Sequence, residues 1–124
     1  MIAGMGIDMI EIERVATKIG KESGFREFVF STKEIEYCES KPNKFEHYAA
    51  RFAAKEAFLK AIGTGWANGT AFNEIEIYND VNGKPEIMLL GETATTLASM
   101  GNKKISVSLS HLKTIASALV IIEI

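Results

Sequence analysis

The chain has 124 residues, of which 47% are hydrophobic and 24% charged, and this predicts a single domain over residues 1–124. Its net charge of −2 excludes the uniformly basic field of a general nucleic-acid binder, so any charge-based recognition must be local. Cys38 is the only cysteine and the two histidines, His47 and His111, lie far apart, which excludes an internal disulfide and a cysteine-rich zinc site and favours a reducing compartment.

Two apolar stretches, residues 1–10 and 115–122, are candidates for membrane signals. Both are much shorter than the roughly 20 apolar residues that a spanning helix needs. The first also contains Asp8, and no basic leader precedes an apolar stretch with a cleavage site. We therefore expect no membrane contact and a cytoplasmic location.

The chain opens with a strand and a helix. Residues 2–10 are apolar and rich in β-formers, which predicts a buried strand. Gly4 and Gly6 within it indicate that another backbone or a ligand comes close. From Ile12 the hydrophobic period becomes helical, and this predicts a short helix that ends near Gly20. Residues 25–30 form a compact aromatic cluster.

Two further helices are predicted in the middle of the chain. Ser31 followed by Glu34 has the spacing of a capping box, so a helix begins there and ends before Pro42. Residues 44–62 have the strongest helical pattern of the chain, about 29 Å long at the standard rise. Gly63 ends this helix, and a glycine-rich loop follows it.

The second half of the chain is predicted to be mainly strands. Residues 74–78 and 85–90 flank the turn dipeptide Asn82-Gly83 and predict a β-hairpin. Residues 93–100 predict a short helix. Residues 105–110 alternate apolar side chains with serines, which predicts a strand with one polar face. The nearly continuous apolar run 115–124 favours a strand buried on both faces.

Two carboxylates interrupt apolar patterns. Asp8 lies inside the first strand, and Glu56 takes an apolar position on the inner stripe of the long helix. An unpaired buried carboxylate costs several kcal/mol, so each needs a cationic partner. A magnesium ion that completes its shell with water and substrate phosphates would serve both. The alternative is structural: Asp8 accepts backbone hydrogen bonds, and Glu56 pairs with Lys60 or Lys55.

Basic side chains accompany Glu56 on the long helix, and Gly63-Thr64-Gly65 follows at its carboxyl end. The dipole at this end of a helix repels anions. Any phosphate bound here would therefore depend on the side chains of Arg51, Lys55 and Lys60 and on the amides of the loop. A solvated basic face is the alternative.

Two other basic features stand apart from the long helix. His111 ends a predicted strand. There it could act as an acid, as a base or as a hydrogen-bond donor to a phosphate, or it could form a hydrogen bond within its own turn. Arg14, Lys18 and Lys21 form one basic stripe on the first helix, and most such stripes are merely solvated.

Taken together, the motifs resemble those of holo-acyl-carrier-protein synthases, which are small 4'-phosphopantetheinyl transferases. The two signature stretches are GIDMIEIER at residues 6–14 and RFAAKEAFLKAIGTG at residues 51–65. FST with Glu34, IEIYND…GKP at 75–85 and SVSLSH at 106–111 keep the family's order and spacing. The resemblance covers essentially the whole chain. It implies an α+β fold with an antiparallel sheet and a long helix packed across it, and a homotrimer with active sites between subunits.

The resemblance also implies roles for individual residues. Asp8 and Glu56 would hold Mg2+, Arg51 and His111 would contact the 3'-phosphate of coenzyme A, and Lys60 would serve the pyrophosphate or catalysis. The other residues expected to lie along coenzyme A are Gly63, Gly65, Lys84 and Pro85. Leu112 follows His111 where the family usually has an acid, so that acid has no counterpart at this position.

The implied reaction is the transfer of 4'-phosphopantetheine from coenzyme A to a serine of apo acyl carrier protein, with release of 3',5'-ADP, in fatty acid biosynthesis. A metal-bound water, Glu56, or Asp8 acting through water could be the general base. Because acyl carrier proteins of this family's pathway are strongly acidic, the stripe Arg14, Lys18 and Lys21 is expected to dock them. Two other functions stay open: a non-catalytic coenzyme A or nucleotide-binding module, and an assembly protein with a structural ion pair.

Overall fold

The structure is a computed structural model that describes residues 1–63, 69–98 and 104–124. The strands are β1 (Ile2–Glu11), β2 (Ile75–Asn79), β3 (Pro85–Leu89), β4 (Lys104–His111) and β5 (Ile115–Glu123). The helices are α1 (Ile12–Gly20), α2 (Phe25–Val29), α3 (Thr32–Glu39), α4 (Lys44–Ile62) and α5 (Gly91–Ala98), and a short 3-10 helix spans Phe72–Glu74.

The strands form two antiparallel sheets. One has the order β1-β5-β4, and the other is the β2-β3 hairpin. In the three-stranded sheet Ala118 of β5 lies opposite both Asp8 of β1 and Leu109 of β4. Helix α4 packs across the inner face of this sheet. The predicted α+β class, with an antiparallel sheet and a long helix across it, is confirmed.

Two glycines explain how closely α4 approaches β1. A Cβ atom on Gly6 would lie 2.0 Å from the carbonyl oxygen of Ala57, and one on Gly4 would lie 2.1 Å from that of Ala61. Only residues without a side chain fit there. The close neighbour predicted from these glycines is therefore the backbone of α4, and this contact brings the polar residues of β1 and α4 together.

The core has two parts that share α4. Small buried side chains of α4, including Ala53 and Ala57, pack on the sheet. The other half of α4, around the fully buried Tyr48, packs against α1, α2 and α3. Burial of these apolar surfaces is the main stabilising term of such a fold.

The prediction that β1 is a buried strand and the prediction that β5 is buried on both faces are wrong for a single chain. Met5, Ile7 and Met9 of β1 are 62%, 61% and 64% exposed, and Leu119 of β5 is 36% exposed. The serines of β4 lie on this same face, since Ser108 is opposite Leu119 and Leu119 is opposite Ile7. Helix α4 covers only the other face, so one chain leaves an apolar surface open. We call this surface the outer sheet face.

Most local predictions agree with the structure. The Ser31–Glu34 capping box forms: the Glu34 amide donates to Ser31 Oγ at 3.2 Å, and the Ser31 amide donates to Glu34 Oε1 at 2.9 Å. The aromatic cluster at 25–30 contains the short α2, which was not predicted as a helix. The predicted helix 93–100 begins earlier, at Gly91, and its last residues lie outside the described ranges.

Candidate active site

Asp8, Glu56 and Lys60 meet between β1 and α4, and we call them the Asp8 cluster. Lys60 Nζ donates to Asp8 Oδ1 at 3.0 Å and to the carbonyl oxygen of Ile7 at 2.9 Å. The side chain of Asp8 is 18% exposed and that of Lys60 is 55% exposed. The cationic partner predicted for Asp8 is therefore Lys60, and the pair remains open to a ligand.

Glu56 lies one helical turn before Lys60 and is half-buried. Burial raises the pKa of its carboxyl group, and the negative charge of Asp8 raises it further, while Lys60 and Lys18 lower it. Neither structural alternative for Glu56 is observed. Lys60 pairs with Asp8, Lys55 pairs with Glu34, and Glu56 forms no ion pair with any described residue. Two like charges thus share one site.

The donor set of the Asp8 cluster fits a hard divalent cation. Two carboxylates that repel each other are held together more favourably by a cation that binds both. Within residues 1–63, 69–98 and 104–124, no group of three or more aspartate, glutamate, histidine or cysteine side chains is arranged as a complete metal site. Magnesium suits such a partial set, because it keeps waters and takes further oxygens from substrate phosphates.

The alternative of a solvated basic face on α4 does not hold for two of its three residues. Lys55 is fully buried, and its Nζ donates to Glu34 Oε1 at 2.7 Å and to the carbonyl oxygens of Phe72 and Ile75. Arg51 is 2% exposed. Lys55 is therefore a structural residue, whereas Arg51 has a different environment.

Arg51 lies in a cavity of about 230 Å3 beside the β2-β3 turn. Its Nε is buried and has no hydrogen-bond acceptor among the described residues. His111 lines the same cavity, where its Nε2 lies 3.2 Å from Glu46 Oε2. We call it the Arg51 pocket; it is lined by Tyr37, Glu46, His47, Ala50, Arg51, Asn79, Gly83, Pro85, Leu109 and His111.

The electrostatics of the Arg51 pocket favour an anion. Burial has the largest effect and lowers the pKa of His47; the positive charges of Arg51, Lys41 and His111 lower it further, and the Glu46 carboxylate raises it. Each of the three positive charges has a larger effect on His47 than the carboxylate, which indicates a local excess of positive charge. The buried donor on Arg51 is a second indication, because an unsatisfied polar group in this position costs free energy unless a ligand completes it.

The structure brings together some of the predicted coenzyme-binding residues and separates others. Pro85 lines the Arg51 pocket with Arg51 and His111. Lys84 does not line it; its Nζ lies 3.8 Å from Glu86 on the exposed side of the hairpin. Gly63 ends α4 with a φ of 80°. Gly65 lies outside the described residues.

The basic stripe on α1 is exposed. Arg14, Lys18 and Lys21 all face solvent, and Arg14 borders a small cleft with Met9 and Ile115. Lys18 Nζ lies 5.5 Å from the ring centroid of Phe25. The influence of Lys18 on the pKa of Glu56 places this end of the stripe near the Asp8 cluster.

Sequence reasoning missed four polar members of the Arg51 pocket: Tyr37, Glu46, His47 and Asn79. Nothing in the hydropathy pattern marks them, because each is a polar residue on a helix or strand surface. The one signal for Tyr37 is its position three residues after Glu34, in the helix predicted to begin at Ser31. A large aromatic residue among the polar residues of that helix could have been noted as a candidate for a contact.

Comparison with known proteins agrees with these observations. Residues 4–117 match the family model of the 4'-phosphopantetheinyl transferase superfamily. The holo-[acyl-carrier-protein] synthase of Cytophaga hutchinsonii is 50% identical over 98% of this chain and 97% of its own length. That of Geotalea daltonii is 42% identical over 99% of each chain.

Solved structures support the same assignment. The holo-[acyl-carrier-protein] synthase of Neisseria meningitidis matches all of both chains with a TM-score of 0.90 and 32% identity. The synthase of Bacillus anthracis, crystallised in complex with CoA (3',5'-ADP), matches 99% of this chain and 97% of its own with a TM-score of 0.82 and 34% identity. With a full-length match in sequence and in fold, the chain belongs to the 4'-phosphopantetheinyl transferase superfamily.

Proposed function

We propose that this protein is a holo-acyl-carrier-protein synthase that transfers 4'-phosphopantetheine from coenzyme A to a serine of apo acyl carrier protein. The observation that carries this proposal is the Asp8 cluster, which supplies two carboxylates and a lysine in a chain similar over its full length to proteins of that name. The bacterial relatives and this activity favour a cytoplasmic role in fatty acid biosynthesis.

In the proposed reaction the serine oxygen attacks the β-phosphorus of coenzyme A. The bond from that phosphorus to the bridging oxygen breaks, and 3',5'-ADP leaves with the bonding electrons. Transfer of this kind depends mainly on positioning and on neutralising charge. Lys60, which is half exposed beside Asp8, is placed to offset charge on the pyrophosphate.

Asp8 and Glu56 would hold Mg2+ in this reaction. When bound, the metal supplies positive charge to the pyrophosphate oxygens. Glu56, or Asp8 acting through water, would take the serine proton. The raised pKa of Glu56 describes the metal-free protein, in which burial and the charge of Asp8 favour the protonated carboxyl group.

The Arg51 pocket would bind the 3'-phosphate of coenzyme A. Arg51 has a buried, unpartnered donor there, and His111 adds a second nitrogen donor. An arginine is suited to phosphate because its planar guanidinium donates several hydrogen bonds at once. Pro85 and the turn at Gly83 would lie along the adenosine.

A homotrimer with sites between subunits is part of this proposal. Residues 51 and 56 lie five positions apart on α4, so their side chains point about 140° apart around the helix axis. One chain therefore directs its Arg51 pocket and its Asp8 cluster to different sides of α4. A coenzyme that uses both would lie between two chains, and the exposed outer sheet face provides apolar surface for their association.

The acidic carrier would dock on Arg14, Lys18 and Lys21. These side chains are exposed on α1, which directly follows the strand that carries Asp8. A carrier bound there would have its serine near the Asp8 cluster. Since the whole chain has a net charge of −2, a local basic surface is needed to attract an acidic partner.

The deciding experiment incubates the protein with coenzyme A, MgCl2 and an apo acyl carrier protein, followed by mass spectrometry of the carrier. We expect the carrier to gain one phosphopantetheine group, and 3',5'-ADP to appear in equal amount. Coenzyme A binding without any gain in carrier mass would instead identify a non-catalytic binding module. The Asp8→Ala variant serves as the control, because it removes one carboxylate of the cluster.

A further inference from the structure

We propose that Tyr37 is a positioning residue for Arg51, whose ring holds the guanidinium in the Arg51 pocket and so sets the preference for coenzyme A over dephospho-coenzyme A. This inference rests on the proposed function, which puts the 3'-phosphate on Arg51. It adds a residue of α3 to a site otherwise built from α4, the β2-β3 hairpin and β4.

The first observation is the environment of the Arg51 guanidinium. Its central carbon Cζ lies 4.3 Å from the centroid of the Tyr37 ring. Arg51 is 2% exposed, its Nε has no acceptor in the described part of the chain, and no described carboxylate forms an ion pair with it. The side chain is therefore held chiefly by an aromatic face.

This kind of partner has a specific consequence for ligand binding. A carboxylate that fixed Arg51 would occupy its N–H donors and neutralise its charge. An aromatic ring attracts the cation through its face and leaves the donors around the guanidinium edge free. Tyr37 can thus orient Arg51 without competing with a phosphate for it.

The second observation is that Tyr37 is itself held in place. Its hydroxyl accepts a hydrogen bond of 2.9 Å from Asn79 Nδ2 at the end of β2. Its ring meets that of His47 edge to face, with the centroids 5.5 Å apart. Lys41 Nζ lies 4.9 Å from the same ring centroid. Contacts from β2 and α4 therefore fix the ring that Arg51 packs on.

The test measures dissociation constants for coenzyme A and for dephospho-coenzyme A by calorimetry, with magnesium and without carrier. Tyr37→Leu and Tyr37→Gln remove the ring, whereas Tyr37→Phe keeps its face and loses only the hydroxyl. We expect the first two variants to bind coenzyme A about tenfold more weakly, which is the range of a desolvated cation–π contact. Their affinity for dephospho-coenzyme A should stay within about twofold of the parent, and Tyr37→Phe should resemble the parent with both ligands.

Tyr78→Leu is the matched control, since it makes the same change at an exposed tyrosine that does not line the pocket. Unchanged coenzyme A affinity in Tyr37→Leu and Tyr37→Gln would overturn the proposal. An equal loss of affinity for coenzyme A and dephospho-coenzyme A in these variants would also overturn it. So would a loss of coenzyme A affinity in Tyr37→Phe as large as that in Tyr37→Leu. Circular dichroism shows whether Tyr37→Leu and Tyr37→Gln fold. If only one of them folds, its affinities decide the test. If neither folds, Tyr37 is a structural residue and the proposal fails.

Arg51→Ala, measured in parallel, separates this proposal from the function on which it rests. If Arg51→Ala weakens the binding of coenzyme A more than that of dephospho-coenzyme A and the Tyr37 variants do not, only the role of Tyr37 is wrong. If Arg51→Ala changes the binding of both ligands equally, the 3'-phosphate does not lie on Arg51 and both statements fall. Transfer to the carrier, followed by mass spectrometry, tests the catalytic activity independently of either result.

Discussion

Glu56 is held where its own charge is unfavourable. Burial and Asp8 raise its pKa, so in the folded protein the carboxyl group binds its proton more tightly than in the unfolded chain. Stability from this group is therefore present below the unfolded pKa of about 4.3 and is lost as the pH rises through the higher folded pKa. At neutral pH, without metal, the ionised Glu56 works against folding.

The raised pKa of Glu56 predicts how the Glu56→Gln variant behaves. Without metal the variant should unfold at a higher temperature than the parent at pH 7, and the difference should disappear below about pH 4. Added MgCl2 should stabilise the parent more than the variant, and the variant should lose transfer activity. Thermal unfolding at both pH values, with and without magnesium, measures this. Glu36→Gln, at an exposed position on α3, should show none of these effects; equal responses in the two variants would contradict a shared charge site.

His47 offers a spectroscopic test of what the Arg51 pocket binds. Its pKa is lowered by burial and by the charges of Arg51, Lys41 and His111. A bound 3'-phosphate would add negative charge nearby, which favours the protonated imidazole and raises the pKa. Titration of the histidine resonances by NMR should therefore show a higher His47 pKa with 3',5'-ADP than with 5'-AMP. The same value with both nucleotides would mean that the 3'-phosphate lies elsewhere.

Among single residues, the sequence marked the unusual ones more clearly than it indicated their surroundings. Asp8 and Glu56 could be identified because a charged residue in an apolar pattern needs a reason. The residue pattern alone could not separate Arg51 from Lys55, since both are basic residues on one helix; only the family resemblance gave Arg51 a ligand. Lys55 is matched by Glu34 and Arg51 by the ring of Tyr37, and both partners lie on α3, so they depend on how α3 packs against α4.

Between elements, the position of the Asp8 cluster depends on how closely α4 rests on β1. Gly6 allows that contact, since a Cβ atom there would lie 2.0 Å from the Ala57 carbonyl oxygen and 2.8 Å from the Ala61 nitrogen. Because both neighbours are backbone atoms, no side-chain rotation can relieve such a clash. The helix itself would have to move, and Lys60 would move with it.

Gly6→Ala should therefore lower both stability and activity. Overpacking of this kind costs about 1–3 kcal/mol or more of the free energy of unfolding, and the displaced helix should weaken the Asp8–Lys60 contact. Urea unfolding and the transfer assay measure the two effects. Gly20→Ala makes the same change where a Cβ atom meets nothing within 4 Å, so it should be neutral in both assays. A Gly6→Ala protein with parental stability would show that α4 does not rest on β1 in this way.

The features of the fold that the sequence predicts correctly are those determined by a few neighbouring residues. The capping box, the period of α4 and the Asn82-Gly83 turn are each set by a few neighbouring residues, and all three are observed. The strand order β1-β5-β4 and the separate β2-β3 sheet depend on pairing between distant segments. The apolar run of β5 also does not show which face is covered, because the face under α4 and the exposed face have similar apolar compositions.

Across the whole molecule, charge is unevenly distributed. The net charge is −2, yet α1 carries exposed Arg14, Lys18 and Lys21. Arg14→Glu should slow association with an acidic carrier and flatten the dependence of the rate on ionic strength, because surface charges act over a Debye length of about 8 Å at physiological salt. Lys18 is less suitable for this test, since it also affects the pKa of Glu56.

The measurement is the Michaelis constant for the carrier at several salt concentrations, with that for coenzyme A alongside. We expect Arg14→Glu to raise the first and to leave the second unchanged. Lys33→Glu, an equal charge reversal at an exposed position on α3, is the control and should change neither. If Arg14→Glu and Lys33→Glu behave alike, the carrier docks on another surface.

The directions of side chains around α4 lead to a prediction about the assembly. If a complete site combines the Asp8 cluster of one chain with the Arg51 pocket of another, defects in the two parts can complement each other. Asp8→Ala chains retain an intact Arg51 pocket, and Arg51→Ala chains retain an intact Asp8 cluster. Mixed trimers of the two would therefore contain some interfaces with both parts intact, although each variant alone has none.

Unfolding the two variants together and refolding them as an equal mixture should restore about one quarter of the parental transfer rate, because random assembly unites the two intact halves at that fraction of interfaces. The assay uses coenzyme A below its Michaelis constant, where the loss caused by Arg51→Ala is largest. A mixture of Asp8→Ala and Glu56→Ala is the matched control and should remain inactive, since both changes damage the same cluster. Activity no greater than the sum of the separate variants would mean that each chain binds coenzyme A by itself.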